Sequence, residues 1–389
     1  MIDTEKTSAD PPPTVSSGAA LAPEAHPTVA GYRPWLDGLR AIAVLLVVVQ
    51  HTLGVIPLEL GTVGVGLFFG LSGYLITSIL LQERERRGYV ILTNFYIRRA
   101  ARLVPALLLV VAVCDALFIL QDYRSPLKGS IAALTYTSNY VQILFPGSVQ
   151  AYGPTWSLAI EEHFYLLWPI TLLAIVSRKG LRTALAVTLA ACVASLIWRT
   201  ALALLHAPIE LLALGTFERA DALLYGCAAA IALQLGWRPG IWILALGAAG
   251  IGISPVLFRH EDYPTLVVSS AFVGMASAAL VVGMDYAAPH IVRRCLSLGP
   301  VVRIGVLSYG IYLWHGPLMR LVENSAETGR GWRMLAAAMT IAIAAASHRW
   351  LETPVRTWAK RWTSRRAGRG GQRPIEGTLH PELGNLEPH

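Results

Sequence analysis

Charge is scarce in this sequence. Asp, Glu, Lys and Arg supply 14% of its 389 residues, against about 25% in an average soluble protein. Hydrophobic residues make up 54%, and apolar stretches of membrane-spanning length, roughly 20 residues, recur from Leu36 to Ala346. The deficit excludes an ordinary soluble globule and gives an all-α, polytopic membrane protein. Cysteine is scarce too. Cys114, Cys192, Cys227 and Cys295 lie in or beside apolar runs without paired spacing. That excludes a disulfide framework or a zinc site and leaves small buried thiols. The first 31 residues hold one lysine and lack the basic start and short apolar core of a cleaved signal. They are expected to form a disordered cytoplasmic tail, with the first span acting as the targeting signal.

The net charge of +8 does not indicate nucleic acid. Arg356, Lys360, Arg361, Arg365, Arg366, Arg369 and Arg373 follow the last apolar run closely, where basic residues anchor and orient a span at cytoplasmic headgroups. The expected spans are 36–56, 62–82, 102–121, 154–176, 181–205, 220–236, 239–258, 264–285, 301–322 and 331–350. A weaker apolar stretch, 130–145, leaves the count open, and loop charge decides it. If 130–145 does not cross, Arg84, Arg86, Arg87, Arg98, Arg99, Arg178, Lys179, Arg182, Arg293, Arg294 and the basic tail share one side. That gives ten spans in the plasma membrane with both termini cytoplasmic. The 130–145 stretch is then an outer re-entrant or surface segment, tolerable only under cover of other helices.

Within the first span, RAIAVLLVVVQH runs from Arg40 to His51. Eleven residues of helix advance about 16 Å in close to three turns, so the two side chains share a face. Arg40 at the membrane edge also suits a snorkelling anchor. An ionisable group as deep as His51 marks either function or a hydrogen-bonded structural histidine. Together they suggest a channel that grips a polyanion at one end and presents its far end to a base, a geometry fitting an acyl donor with a phosphorylated head and a long thin arm. FYIRRAARLVP (95–105) adds Arg99 and Arg102, three apart on one face. With Arg40 they make a phosphate clamp, since guanidinium binds phosphate bidentately; each alone also reads as positive-inside charge.

TWSLAIEEHFYLLWP (155–169) buries Glu161 and Glu162 about two turns into a span. One of them can orient His51 as a carboxylate orients a catalytic imidazole, or both can pair structurally with His163 or an arginine. In GVGLFFGLSGYLI (64–76), Gly66 and Gly70 permit close helix contact. SYGIYLWHGP (308–317) offers Tyr312 and His315 beside Pro317, as substrate contacts or as structural groups. Arg219 and Asp221 can pair with each other or touch a polar acceptor.

Taken together, LDGLRAIAVLLVVVQH, GVGLFFGLSGYLI, FYIRRAARLVP, TWSLAIEEHFYLLWP, FERADALLYG, SYGIYLWHGP and RWLETPVR resemble the acyltransferase family 3 membrane proteins, the group of O-antigen and exopolysaccharide O-acetyltransferases and macrolide acylases. The resemblance implies transfer of an acyl group, commonly acetyl, from acyl-CoA to a hydroxyl of a glycan, lipid-linked sugar or small molecule. It implies catalytic roles for His51 and Glu161 and donor binding by Arg40, Arg99 and Arg102, without a metal. Arg219, Tyr312 and His315 are the expected acceptor contacts. His163 stands where the family pattern has glutamine. The implied domain covers 32–356, and a disordered, basic cytoplasmic tail (357–389) is expected after it rather than the soluble esterase-like domain that many relatives carry. Membrane lipids are the remaining partner and nucleic acid is not one. The competing class is a transporter or flippase of a lipid or glycan, which ten spans with internal charges also suit.

Overall fold

The computed structural model describes residues 32–53, 58–120, 127–259, 262–324 and 329–370. Among them are fourteen α-helices and no strand, as expected of apolar segments that must satisfy their own backbone in lipid. The order is α1 (Pro34–Leu53), α2 (Leu60–Arg87), α3 (Leu92–Leu120), α4 (Leu127–Leu134), α5 (Ser138–Leu144) and α6 (Thr155–Leu204). There follow α7 (Ile209–Leu214), α8 (Ala220–Gln234), α9 (Ile241–Leu257), α10 (Tyr263–Tyr286) and α11 (His290–Leu296). The series ends with α12 (Gly299–Asn324), α13 (Arg330–Ser347) and α14 (Thr353–Gly370).

Every expected span falls on a helix. Among the described residues, six helical runs are long and apolar enough to cross a membrane, and α11 with α12, bent by 57°, makes up to seven. The apolar helices α8 and α9 are shorter, at 15 and 17 residues. One of the six, α6, has 50 residues and breaks at Gly180, whose φ of 82° and ψ of 176° suit glycine and little else. The break divides α6 where the apolar pattern separates 154–176 from 181–205.

The 130–145 stretch becomes α4 and α5, eight and seven residues long, parted at Tyr136 in the left-handed region. Neither approaches the roughly 20 residues of a crossing. With a short turn at Gln150–Tyr152, they close one end of the main apolar core, burying Ala132, Ala133, Val149 and Tyr152. Asp115 of α3 fastens this cover by accepting from Ser130 Oγ at 2.7 Å and Tyr152 Oη at 2.6 Å. Burial and that carboxylate hold the Tyr152 phenol protonated, well above its usual range.

Small residues let α2, α8 and α10 pack at close range. Gly66 faces Val273 and Gly70 faces Ser277, while a Cβ at Gly73 would overlap the Leu223 carbonyl. The opposite end of the bundle from α4 and α5 is basic and cross-tied. Asp285, at the end of α10, pairs with Arg33 and accepts from Tyr74. Arg293 of α11 donates to the Met284 and Asp285 carbonyls, each at 2.9 Å, satisfying the last turn of α10. Gln234 donates to Glu85 at 3.0 Å and Arg98 lies 3.9 Å from Glu83, which gathers the ends of α2, α3 and α8.

A π turn at His348–Glu352 joins α13 to α14. The segment from 357, expected as a disordered tail, continues as helix to Gly370 and packs along α3. Trp350, Trp358 and Trp362 are exposed on this stretch among its arginines and lysine, the make-up of an interfacial helix. Residues 1–31, Arg124 and 371–389 with Arg373 lie outside the described residues.

Candidate active site

Toward the basic end, α1, α2, α3, α6 and α12 enclose a cavity of about 160 Å³. Arg40, Arg99 and Arg102 all line it, as their spacing predicts. Two of them are already engaged. Arg40 pairs with Asp37 at 2.6 Å, and Arg99 pairs with Glu162 at 2.6 Å while its guanidinium lies 3.0 Å from the Tyr165 ring centroid. Arg102 makes no hydrogen bond or ion pair with a described residue. Its electrostatic neighbours include three other guanidiniums, those of Arg40, Arg356 and Arg99. Like charges gathered away from bulk water repel strongly, and a polyanion is the ligand that relieves them. Forked guanidinium donors suit phosphate oxygens.

Arg356 is a member that the sequence reading assigned to membrane anchoring. It belongs to the RWLETPVR motif, and the packing of α14 along α3 brings it to Arg102.

Glu161 lies on α6 beside Glu162. It lines this basic cavity, half-buried, and accepts from Tyr165 Oη at 3.1 Å. Its carboxylate shares this cavity with Arg99. His51 lines a different cavity and bonds to Val47, and no hydrogen bond joins it to Glu161 among the described residues.

The second cavity, about 460 Å³, lies toward the opposite end, beside Gln142, Gly153 and Pro154. His51, Gln50, Glu59, Gln142, Trp156 and Arg219 line it. His51 Nδ1 stands 2.9 Å from the Val47 carbonyl. A carbonyl only accepts, so Nδ1 donates to it and Nε2 is the nitrogen left to face the cavity. His315, fully buried on α12, repeats the arrangement, with Nδ1 2.5 Å from the Tyr312 carbonyl. The two imidazoles meet edge to face at 5.1 Å between centroids. The partner of His51 is thus a second histidine.

Arg219 donates through Nε to Ala213 at 2.8 Å and lies 5.8 Å from the Trp156 ring centroid. Its alternative pairing with Asp221 is not formed. Asp221 binds Arg199 at 2.8 Å, both side chains fully buried, and accepts from Ser270 at 2.7 Å. Arg199 had no mark in the sequence beyond its place inside an apolar run. His163 keeps away from both cavities, its Nδ1 2.9 Å from Thr216 Oγ1. Cys114, Cys192 and Cys227 are buried free thiols as expected, whereas Cys295, on α11, is exposed.

The expected continuous channel is interrupted. The two cavities share Val65 and Tyr312 in their walls, and these side chains part the arginine cluster from His51. The arrangement offers anion binding on one side of a thin partition and a free imidazole nitrogen on the other.

Residues 33–349 match the family described as the acyltransferase domain. Among curated relatives, the peptidoglycan O-acetyltransferase OatA of Listeria monocytogenes is 34% identical, over 84% of this chain and 56% of its own length. The O-acetyltransferase OatA of Staphylococcus aureus is 29% identical, over 84% of this chain and 57% of its own. The putative peptidoglycan O-acetyltransferase YrhL of Bacillus subtilis is 32% identical, over 86% and 56%. The chain therefore spans little more than half the length of these relatives. No solved structure matches it.

Proposed function

The chain belongs to the acyltransferase domain family, and we propose that it is an O-acyltransferase that moves an acetyl group from acetyl-CoA to a hydroxyl of a glycan. The observation that carries this reading is the opposition of Arg102, which has no anionic partner among the described residues, to His51 across a shared wall. The glycan and the acetyl group are taken from the names of the relatives, which are O-acetyltransferases.

The donor's phosphates bind Arg40, Arg99, Arg102 and Arg356 at the basic end. Its pantetheine arm runs along α1 toward His51, and the acceptor enters the larger cavity beside Trp156 and Arg219. An aromatic face next to polar side chains suits a sugar ring, which has apolar faces and a hydroxylated rim. The acceptor oxygen attacks the thioester carbonyl carbon while His51 Nε2 takes the hydroxyl proton. The C–O bond forms, the C–S bond breaks, and the departing CoA thiolate takes the proton back from His51. General-base catalysis of this kind contributes about 10²–10⁴-fold. Glu161, hydrogen-bonded to Tyr165, offsets part of the arginine charge so that the donor can leave after transfer.

The basic ends of α2, α3, α11 and α14 face the cytoplasm by the positive-inside rule, where acyl-CoA is made. This orientation has ten crossings, with α8 and α9 as short spans, and puts the larger cavity on the outer side. The test places labelled acetyl-CoA on the basic side of proteoliposomes and glycan oligomers on the other. Label covalently attached to glycan is the expected result. Unmodified solute crossing the membrane with no label transferred would establish transport and overturn the reading.

A further inference from the structure

The two cavities meet at one bulky side chain. Tyr312 of α12 lines both, and its hydroxyl ties a residue of one wall to a residue of the other. Tyr312 Oη lies 2.8 Å from the Pro154 carbonyl and 2.7 Å from Ser157 Oγ. Pro154 lines the His51 cavity and Ser157 the arginine cavity. The proton assignment follows from chemistry. A carbonyl only accepts, so the phenol donates to Pro154, and the Ser157 hydroxyl donates to the phenol oxygen. The alternative acceptor for Ser157, the same Pro154 carbonyl, is farther away at 3.5 Å. Both hydrogen bonds of the phenol therefore close the partition.

We propose that Tyr312 is a gate: its phenol, latched by Pro154 and Ser157, keeps the two cavities apart at rest, and swinging it aside joins them for the thioester to pass. The proposal rests on the reading of a donor at the arginines and an acceptor at His51. Val65, the other shared wall residue, is buried on α2 with a short β-branched side chain, whose stiff χ1 gives it little to move. A tyrosine clears far more space by one rotation of χ1, and the cavities on either side give its ring somewhere to go. The supporting helix lacks one backbone bond just beyond this point, since Pro317 cannot donate to Leu313.

A closed partition also has a chemical use. A permanent passage from one end of the bundle to the other would admit water to the thioester and protons to the membrane interior. A phenol that yields only to the pantetheine arm opens the way when the arm itself fills it. Tyr312 is then a positioning residue: it controls where the carbonyl goes and carries no proton in the transfer.

The test reads access directly. In a Cys295→Ser background, Ser72→Cys places a reporter thiol on the arginine cavity, which Ser72 lines. A membrane-impermeant maleimide is added from the side toward which the His51 cavity lies. With Tyr312 in place the reporter is expected to stay protected. Tyr312→Phe, which keeps the ring and removes the latch, is expected to raise its labelling rate about tenfold, the worth of roughly one neutral hydrogen bond. Tyr312→Ala is expected to label faster still. Equal labelling in all three backgrounds, whether protected or open, would overturn the gate. Acetyl-CoA turnover in the same vesicles separates the two claims. A Tyr312-dependent change in labelling without any acetyl transfer leaves the gate and removes the donor reading. Transfer to glycan with labelling unmoved by Tyr312 does the reverse. The expected joint result is a shift of Tyr312→Ala toward acetyl-CoA hydrolysis at the expense of transfer.

Discussion

His315 stands edge-on to His51 with ring centroids 5.1 Å apart, and its Nε2 has no hydrogen-bond partner although the side chain is fully buried. An orphaned nitrogen in such a place carries a cost of about 1–3 kcal/mol, which a purely structural histidine would avoid. The ring it faces is the one proposed above to take the hydroxyl proton during transfer. Replacing His315 by Ala is therefore expected to lower acetyl transfer while leaving acetyl-CoA binding intact, measured by single turnover and by calorimetry. A loss of donor affinity with unchanged turnover would place His315 in donor binding instead.

Arg102 is expected to carry more of the donor affinity than Arg40 or Arg99, because those two already hold carboxylates. A charged hydrogen bond is worth about 1.5–3 kcal/mol, so Arg102→Ala should raise the acetyl-CoA Kd by about ten- to a hundredfold. Arg102→Lys should recover only part of it, since an ammonium lacks the planar fork. Arg356→Ala should weaken donor binding in the same assay. Titration calorimetry on purified protein measures all three.

The Arg199–Asp221 pair is expected to be a stability element. Removing one partner leaves the other charge buried and alone, at a cost of about 3–5 kcal/mol. Arg199→Leu should lower the thermal midpoint in detergent sharply. Arg199→Leu combined with Asp221→Leu should recover a large part of the loss, and equal midpoints for the single and double variants would contradict this.

Gly73 is expected to tolerate no side chain. A Cβ there overlaps the Leu223 carbonyl, a backbone atom that cannot rotate away. Gly73→Ala should cost about 1–3 kcal/mol by overpacking α2 against α8. Gly252, which has open space around its Cβ position, is the matched control, and thermal unfolding of the two variants checks the difference.

Much of this was legible in the sequence wherever a single helix fixed the geometry. Arg40 and His51 share α1, so their separation and common face follow from helical rise alone. Arg99 and Arg102 share a face of α3 for the same reason. The division of α6 was legible as a lapse in the apolar run, and Gly180 is its cause. What escaped depended on which helices pack together. His51 meets His315 because α1 lies along α12, and no local pattern encodes that pairing. The depth of Glu161 in its span was readable, but the wall it faces was not. Arg199 sits in an apolar run that looks lipid-facing until Asp221 of α8 is packed against it. A basic residue after a last span reads as an anchor, so Arg356 waited for the fold of α14 along α3.

The most direct test of the account is acetyl-CoA binding and acetyl transfer by the same purified His51→Ala protein, folded as judged by its thermal midpoint. The account predicts donor affinity close to that of the unaltered protein and transfer to glycan reduced by about 10²–10⁴-fold. Undiminished transfer by His51→Ala would contradict it.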